Sequence, residues 1–157
     1  MTVDLNLSRL IKRWKSEGIE LDPRQEAQRI REVFASLGFE VASDAVHLYQ
    51  AIGGMQEMDN EYWRLWSLAE ILDANREGTL SGVPFADSCL DCYRFVLRTV
   101  DEQQSEVWIE GFDFGPPVRI AKSLAEFFGN YVTDPDAVLN PPSRPEYSRP
   151  SIGSQTC

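Results

Sequence analysis

The sequence predicts an α+β fold, in which an antiparallel sheet carries helices packed mainly on one side. Helical periodicity dominates residues 3–52, whereas alternating apolar and polar residues dominate 93–110. A chain of 157 residues with 43% hydrophobic side chains can bury one substantial core. We therefore expect a single domain over residues 1–139, in which 1–21 form an N-terminal helical extension, followed by a disordered tail over 140–157.

The N-terminal part of the chain contains three helical signals. Apolar residues spaced three and four apart predict an amphipathic helix over 3–15. Asp22 can cap a second helix, predicted over 22–37, because a proline at the first helical position and an apolar stripe follow it. A third helix is predicted over 43–52, and Gly53 would end it through a left-handed exit.

The middle of the chain changes from helical to strand periodicity. The aromatic-rich segment 61–66 predicts a short strand. Ser67 and Glu70 form a capping box directly after it, so a helix should follow and reach residue 75. Residues 76–84 have the composition of a loop, and 85–87 indicate a brief strand.

Two alternating segments predict a β-hairpin with a defined register. Each segment has one apolar face, and when these faces coincide every charged residue lies opposite a residue of opposite sign. A slip of one residue would place core residues opposite charged ones. The predicted pairs are Arg94 with Glu110, Phe95 with Ile109, Val96 with Trp108, Leu97 with Val107 and Arg98 with Glu106, around a tip at 101–103.

The last ordered elements precede a proline-rich end. Residues 118–120 indicate a short edge strand, and Ser123 with Glu126 forms another capping box that should open a helix. The Asp134-Pro135 pair can start one further turn. Beyond residue 139, repeated prolines with interleaved serine, arginine and glycine favour neither helix nor sheet, which is why the tail is predicted to be disordered.

Negative charge is concentrated in the middle of the chain. The whole chain has a net charge of −10, and residues 39–140 alone contain six Lys and Arg against 18 Asp and Glu, a net charge of −12. Such a field repels nucleic acid and anionic lipid and attracts basic partners. We therefore expect a basic protein partner, no nucleic acid and no membrane. The alternative is that the charge serves solubility alone.

The sequence also predicts a cellular compartment. No apolar run reaches the length of about 20 residues that spans a bilayer, and residues 1–10 lack a basic region followed by an apolar block. We therefore expect a cytoplasmic protein. The three cysteines, an odd number, indicate a reducing compartment rather than a disulfide framework, and all three are predicted to be free thiols.

The sequence contains little of the chemistry that a catalytic site needs. His47 is the only histidine, so neither a second imidazole for a proton shuttle nor a histidine cluster for a metal is available. Cys89 and Cys92 form a CxxC motif, whose redox use requires a helix N-terminus, whereas a strand is predicted after it. The Gly53-Gly54 pair lacks the Lys-Ser/Thr of a phosphate loop. We predict no catalytic, cofactor-binding or metal-binding residues.

Acidic and aromatic residues are the candidates for binding. Glu57, Asp59 and Glu61 are predicted to lie on one loop directly before Trp63. Trp108 shares its strand face with two glutamates, so it is either covered by a second layer or available as an anchor in an acidic field. An aromatic anchor among carboxylates would bind a basic, partly apolar partner; the alternative for the loop is a solvated segment without a binding role.

Four segments follow one another in a recognisable order. They are Leu48–Gly54 (LYQAIGG), Leu65–Ile71 (LWSLAEI) with Asn75, Val83–Asp87 (VPFAD) and Ile120–Phe128 (IAKSLAEFF). This order resembles the SUKH superfamily of bacterial toxin-immunity proteins and fungal cell-wall synthesis regulators, over roughly residues 30–139. The resemblance implies an α+β fold around an antiparallel sheet and a protein-binding module without cofactor or catalytic residues. The chain departs from the family where Ser88-Cys-Leu-Asp91 replaces an Asp/Gly-rich turn.

These observations together predict a protein-binding module, namely an immunity protein that binds and neutralises a partner toxin. One alternative is a regulatory adaptor of the same fold, which needs a similar shaped surface. Another is an unrecognised hydrolase, which the sequence disfavours because it lacks both Gly-x-Ser-x-Gly and a nucleophile–base pair. The predicted partner-binding residues are Glu57, Asp59, Glu61, Trp63, Asp87, Asp91 and Trp108.

Overall fold

The computed structural model describes residues 2–74, 82–90, 92–111 and 116–139, with side chains from residue 5 onward. The predicted α+β fold with N-terminal helices is confirmed. None of the described helices is both long and apolar enough to span a bilayer. The predictions for Asp91, the 76–81 loop and the 140–157 tail lie outside the described residues. The elements are α1 (Thr2–Ser16), α2 (Ala27–Ser36), α3 (Ser43–Ala51), β1 (Trp63–Leu65), α4 (Leu68–Ala74), β2 (Val83–Ser88), β3 (Tyr93–Thr99), β4 (Ser105–Gly111), β5 (Val118–Ala121), α5 (Leu124–Thr133) and α6 (Pro135–Leu139).

The five strands form one antiparallel sheet in sequence order, from β1 to β5. Strand β2 is longer than predicted, because Val83 and Pro84 pair with β3 instead of belonging to a loop. The predicted hairpin register is confirmed, since apolar residues share one face and opposite charges face each other on the other. The pairs include Arg94 with Glu110, Val96 with Trp108 and Arg98 with Glu106.

One face of the sheet forms the hydrophobic core. Its side chains from β3 and β4 are buried and include Phe95 and Ile109. Helix α5 packs against this face and buries Phe127, Phe128 and Tyr131. The opposite face carries the charged residues of the hairpin, so the sheet separates an apolar layer from a charged surface.

Helix α1 belongs to this core. Leu7, Leu10 and Trp14 are buried, and the Trp14 ring stacks on Trp63 with ring centroids 5.9 Å apart. Burying each such side chain stabilises the fold by roughly 1.5–3 kcal/mol relative to exposure. The segment predicted as an N-terminal extension is therefore an integral part of the domain.

Helix α2 begins at Ala27, so the start predicted at Asp22 is wrong. The segment before α2 pairs instead with the chain after α3. The amide of Asp22 donates to the Gly54 carbonyl at 2.8 Å, and the amide of Gly53 donates to the Asp22 carbonyl at 3.1 Å. This long-range backbone pairing outweighs the local helix signal of the Asp-Pro pair.

Gly53 is required for a reason other than the predicted one. Its φ is not positive, so the left-handed exit from α3 is wrong. A Cβ at this position would lie 2.0 Å from the carbonyl oxygen of Pro23. The glycine therefore permits the close approach of two backbone segments.

The predicted capping box of α4 is complete, whereas in α5 only the bond to the serine side chain is formed as predicted. In α4, the Ser67 amide donates to Glu70 Oε1 at 2.9 Å and the Glu70 amide donates to Ser67 Oγ at 3.2 Å. In α5, the Glu126 amide donates to Ser123 Oγ at 3.1 Å, while Glu126 Oε1 accepts from the Lys122 amide at 2.7 Å. These bonds satisfy amides at both helix starts and so define where α4 begins after β1 and where α5 begins after β5.

Cys92 is disulfide-bonded, so the prediction of three free thiols is wrong at this residue. An odd number of cysteines excludes complete pairing but is compatible with one bridge. Counting and spacing could not distinguish these two cases.

Asp44, in the first turn of α3, connects three elements. Its Oδ2 accepts from the amides of Ser105 at 2.9 Å and Leu124 at 3.3 Å, and its Oδ1 accepts from Ser105 Oγ at 2.8 Å. Burial raises the pKa of the Asp44 carboxyl above its ordinary value of 3.8, and the hydrogen bonds from Ser105 and Leu124 oppose this effect only in part. The folded protein therefore binds the Asp44 proton more tightly than the unfolded chain does.

We expect Asp44→Asn to change how stability depends on pH. A raised folded-state pKa contributes stability that is fully present below 3.8 and is lost as pH rises through the folded value. The free energy of unfolding of wild type, minus that of the variant, should therefore increase as pH falls from about 7 towards 3.8. Urea denaturation of both proteins across this range measures the difference, and a difference that stays constant or decreases would contradict the prediction.

Candidate functional site

The predicted acidic loop does not form a single exposed surface. Glu57 and Glu61 are exposed, but Asp59 between them is buried, and Trp63 is 0% exposed. The prediction that Asp59 and Trp63 contact a partner from the surface is therefore wrong. Their side chains face the core because the loop turns inward to meet α1 and α5.

Trp63 is the centre of the aromatic core. Its ring stacks on Trp14 and meets Phe95, Phe128 and Tyr131 edge to face, with centroid distances between 5.4 and 6.3 Å. Its Nε1–H has no hydrogen-bond partner among the described residues. This tryptophan thus contributes through burial and ring contacts, since such pairs add about 0.5–1.5 kcal/mol beyond area.

Asp59 holds the loop to both helices. Its Oδ2 accepts from Trp14 Nε1 at 2.8 Å and from the Tyr131 hydroxyl at 2.5 Å, and its Oδ1 accepts from the Glu61 and Trp63 amides at 2.9 and 3.0 Å. Burial, together with the charge of Asp59, raises the pKa of Tyr131 far above its ordinary value, so the hydroxyl stays protonated and donates. Asp59 is therefore a structural residue beneath the surface.

Asp87 is also buried, so its predicted position on the partner surface is wrong. It lies on the charged side of β2, where Oδ1 accepts from Trp66 Nε1 at 2.6 Å. The Arg64 Nε lies 3.7 Å from the same oxygen, and Arg64 Nη1 lies 2.9 Å from Glu70 Oε2. These residues line a cleft of about 320 Å³ in which Arg94 lies over the Trp66 ring. The charged groups of the cleft thus already have partners inside the protein.

Trp108 is half-buried on the charged face of the sheet, and neither predicted alternative describes it. The guanidinium carbon of Arg98 lies 3.9 Å from its ring centroid, and Trp108 Nε1 donates to Glu106 at 3.0 Å. Glu106 also accepts from Arg119 Nη1 at 2.9 Å. The hydrogen bond from Trp108, with smaller contributions from Arg119, lowers the pKa of Glu106. The Arg98 side chain of the neighbouring strand β3 therefore covers the ring, in place of a second layer.

Two large apolar side chains are exposed at the end of the sheet where β2 meets β3. Tyr62 precedes β1 and is 65% exposed, and Leu90 follows β2 and is 83% exposed. The Cys89 amide donates to the Tyr62 carbonyl at 2.9 Å, which holds the two turns side by side. Neither residue was predicted as a binding residue, because Tyr62 belongs to the segment 61–66 that was predicted as a strand and a single leucine such as Leu90 carries no pattern of its own.

The backbone at this place is strained. Tyr62, Cys89 and Leu90 have φ values of 63°, 53° and 57°, and they are the non-glycine residues with positive φ among those described. A left-handed conformation costs about 1–2 kcal/mol per residue that carries a Cβ. Such strain clusters at binding sites and switch regions, where the surrounding structure maintains it.

Exposed carboxylates lie in the loop that contains Tyr62. Glu57 and Glu61 belong to the same loop as Tyr62, and Glu17 Oε1 accepts from the amide of Asn60 in that loop at 2.9 Å. We call Glu57, Glu61, Tyr62 and Leu90 the Tyr62–Leu90 surface. It combines exposed apolar area with negative charge, so a partner would need an apolar contact region flanked by basic groups.

The CxxC motif does not have the geometry of a redox site. Cys89 and Leu90 have left-handed backbone conformations and β3 begins at Tyr93, so none of the described helices begins at the motif. Burial raises the pKa of the Cys89 thiol, and the charge of Asp87 raises it further. A reactive thiolate needs the opposite shift, which a helix dipole or a basic neighbour would supply.

His47 is half-buried on α3. Among the described residues, no group of three or more His, Cys, Asp or Glu side chains is arranged to hold a metal ion.

No protein-family model matches the chain, and no curated protein matches it either. The Tyr62–Leu90 surface is therefore the candidate site on geometric grounds.

We expect Leu90→Gly to stabilise the fold. Glycine removes the left-handed strain of about 1–2 kcal/mol, while its greater freedom in the unfolded chain costs about 0.5–1 kcal/mol, so the free energy of unfolding should rise by about 0.5–1 kcal/mol. Leu90→Ala is the matched control, because alanine also removes the side chain but keeps the Cβ. Urea denaturation measures both, and a glycine variant less stable than the alanine variant would show that the turn is not strained.

Proposed function

We propose that this chain is a SUKH-like protein-binding module that serves as an immunity protein, binding and neutralising a partner toxin without catalysis. The observation that carries the proposal is the Tyr62–Leu90 surface. Its two large apolar side chains are exposed to water in strained turns, and contact with a partner would offset that exposure.

The contacts among the four SUKH-like segments support the family part of the proposal. The Tyr49 hydroxyl, in the first segment, donates to the Trp66 carbonyl in the second at 2.8 Å. Trp66 Nε1 donates to Asp87 in the third at 2.6 Å. Phe85 in the third meets Phe127 in the fourth edge to face, with centroids 6.5 Å apart. The four segments thus form one chain of contacts within the fold, as segments that define a common fold would.

The chemistry of the Tyr62–Leu90 surface supports a basic protein as the partner. Tyr62 and Leu90 supply the apolar contact that would slow dissociation, and Glu57 with Glu61 supply the charge that would accelerate association. A nucleic acid or an anionic membrane would be repelled by a chain with a net charge of −10. A partner with an apolar pocket bordered by Lys or Arg fits both features.

The proposed interaction predicts a specific kinetic effect of charge. The experiment uses the partner that the immobilised wild-type chain captures from cells. In Glu57→Gln combined with Glu61→Gln, the association rate with this captured partner should fall about two- to tenfold at low salt, with little change in dissociation. The salt dependence of association should become flatter, because fewer charges steer the encounter. Surface plasmon resonance over a salt series measures both rates.

Glu26→Gln combined with Glu32→Gln is the matched control for this experiment. Both residues are exposed at α2, and the control changes the net charge by the same amount elsewhere. If the control lowers the association rate as much as the loop variant does, the effect belongs to net charge and the acidic loop is not the contact.

A growth experiment distinguishes an immunity protein from an adaptor. Cells that express the partner alone should stop growing if the partner is a toxin, and they should recover when this chain is expressed as well.

A further inference from the structure

A concave surface lies at the end of β3 that is opposite to the Tyr62–Leu90 surface. It is a groove of about 670 Å³ between the loop after α2 and the turn that joins β3 to β4. Because β3 has seven residues at about 3.3 Å each, roughly 20 Å separate the two ends. The volume lies within the range of about 300–1,000 Å³ that is typical of ligand sites.

The walls of this groove are fixed to each other. Thr99 Oγ1 donates to the Glu40 carbonyl at 2.7 Å, and the Ser43 amide donates to the Glu102 carbonyl at 2.8 Å. Asp101 Oδ1 also accepts from the amides of the turn that follows it, at 2.8 and 2.9 Å. The groove is therefore preformed, and a ligand would not need to order it.

The groove combines apolar and acidic groups. Val100 is 55% exposed, and the ring of Phe39 is half-buried on the other wall. Glu40, Asp101 and Glu102 are the acidic residues among those that line the groove. The guanidinium of Arg98, the one lining cation among the described residues, is directed at the Trp108 ring on the charged face of the sheet. The residues that line the groove therefore have a net negative charge, and Phe39 and Val100 are its apolar members.

We propose that this groove binds a short basic protein segment, in which an apolar side chain inserts between Phe39 and Val100 while flanking Lys or Arg side chains meet Glu40, Asp101 and Glu102. Apolar contact and charge complementarity together select such a segment over an acidic or a purely apolar one. The proposal is independent of the proposed function, because it concerns different residues at the other end of the sheet. It gives the chain a second recognition site.

The test uses a capped peptide in which one leucine is flanked on either side by arginine, followed by backbone amide shifts of the full chain in NMR. We expect saturable shifts at 38–40 and 99–102. Val100→Ser should raise the Kd about fivefold, as half-burial of an apolar side chain corresponds to about 1 kcal/mol. Leu5→Ser is the matched control, because Leu5 is 57% exposed on α1, and it should leave the Kd unchanged.

Two control peptides complete the test. Replacing the leucine by alanine, or the arginines by glutamate, should abolish saturation at 38–40 and 99–102. The proposal is overturned if the parent peptide causes no shifts, or if its shifts spread over acidic residues such as Glu57 and Glu61. It is also overturned if Val100→Ser binds the peptide as tightly as wild type does. Unchanged circular dichroism of Val100→Ser ensures that the comparison concerns binding.

Discussion

Replacing Asp59 by asparagine is expected to lower the free energy of unfolding by about 2–3 kcal/mol, because it removes charge-assisted hydrogen bonds and leaves a buried donor without an acceptor. The four groups that face its two oxygens are all donors: Trp14 Nε1, the Tyr131 hydroxyl and the amides of Glu61 and Trp63. An amide would replace one accepting oxygen by an NH₂ group, leaving buried donors facing each other. Because domains of this kind are stable by only about 5–15 kcal/mol, this loss should be visible as a large shift of the urea midpoint.

Two controls separate this effect from a general effect of charge or of core packing. Glu57→Gln makes the same chemical change at an exposed position and should alter stability by less than about 0.5 kcal/mol. Trp14→Phe should destabilise more than Trp63→Phe, by roughly 1.5 kcal/mol or more, since only Trp14 donates to Asp59. If Asp59→Asn stays within about 1 kcal/mol of wild type, Asp59 does not hold the loop to α1 and α5.

The parts of the fold that local sequence specifies were predicted correctly. The capping boxes at Ser67 and Ser123 depend on residues three positions apart. The first is complete, and in the second Ser123 caps the Glu126 amide while the Glu126 side chain accepts from the Lys122 amide instead. The hairpin register depends on alternating faces and opposite charges, which two adjacent strands carry themselves. In both cases the interacting groups lie close together in the chain, so the local residue pattern is sufficient to predict the contact.

The start of α2 was predicted incorrectly because its competing partner lies far away in sequence. Asp22 and Pro23 form a reasonable helix start, but the backbone at Asp22 pairs with Gly53 and Gly54. This pairing brings the backbone of residue 53 so close to Pro23 that a Cβ there would lie 2.0 Å from the Pro23 carbonyl oxygen. Nothing in the local pattern distinguishes that glycine from one that ends a helix by positive φ.

The candidate site was predicted in part. The sequence drew attention to the acidic loop, and Glu57 and Glu61 are exposed there. It could not show that Asp59 is buried, because its partners lie 45 and 72 residues away, at Trp14 and Tyr131. The exposure of Tyr62 and Leu90 was missed for a related reason. The left-handed positions themselves are neither glycine nor asparagine, so their conformation is imposed by tertiary contacts.

The affinity of the captured partner for a chain with Tyr62→Ser and Leu90→Ser tests the proposed binding surface most directly. Both residues are already exposed, so the substitutions should leave the fold intact, and any loss of binding reflects lost contact. Hot-spot residues at the centre of an interface, among which tyrosine is enriched, cost about 2 kcal/mol or more on truncation, and the loss of the Leu90 contact adds to this. We expect the Kd to rise at least about 100-fold, mainly through faster dissociation.

Two single variants make the outcome of this measurement unambiguous. Leu5→Ser removes a comparably exposed apolar side chain on α1 and should bind the partner as wild type does, and Val100→Ser tests the groove at the other end of the sheet. A rise of about 100-fold in Kd for the double variant, with neither single variant changed, is the predicted result. Wild-type affinity in the double variant, or a loss caused by Val100→Ser instead, would contradict the assignment of the Tyr62–Leu90 surface as the partner interface.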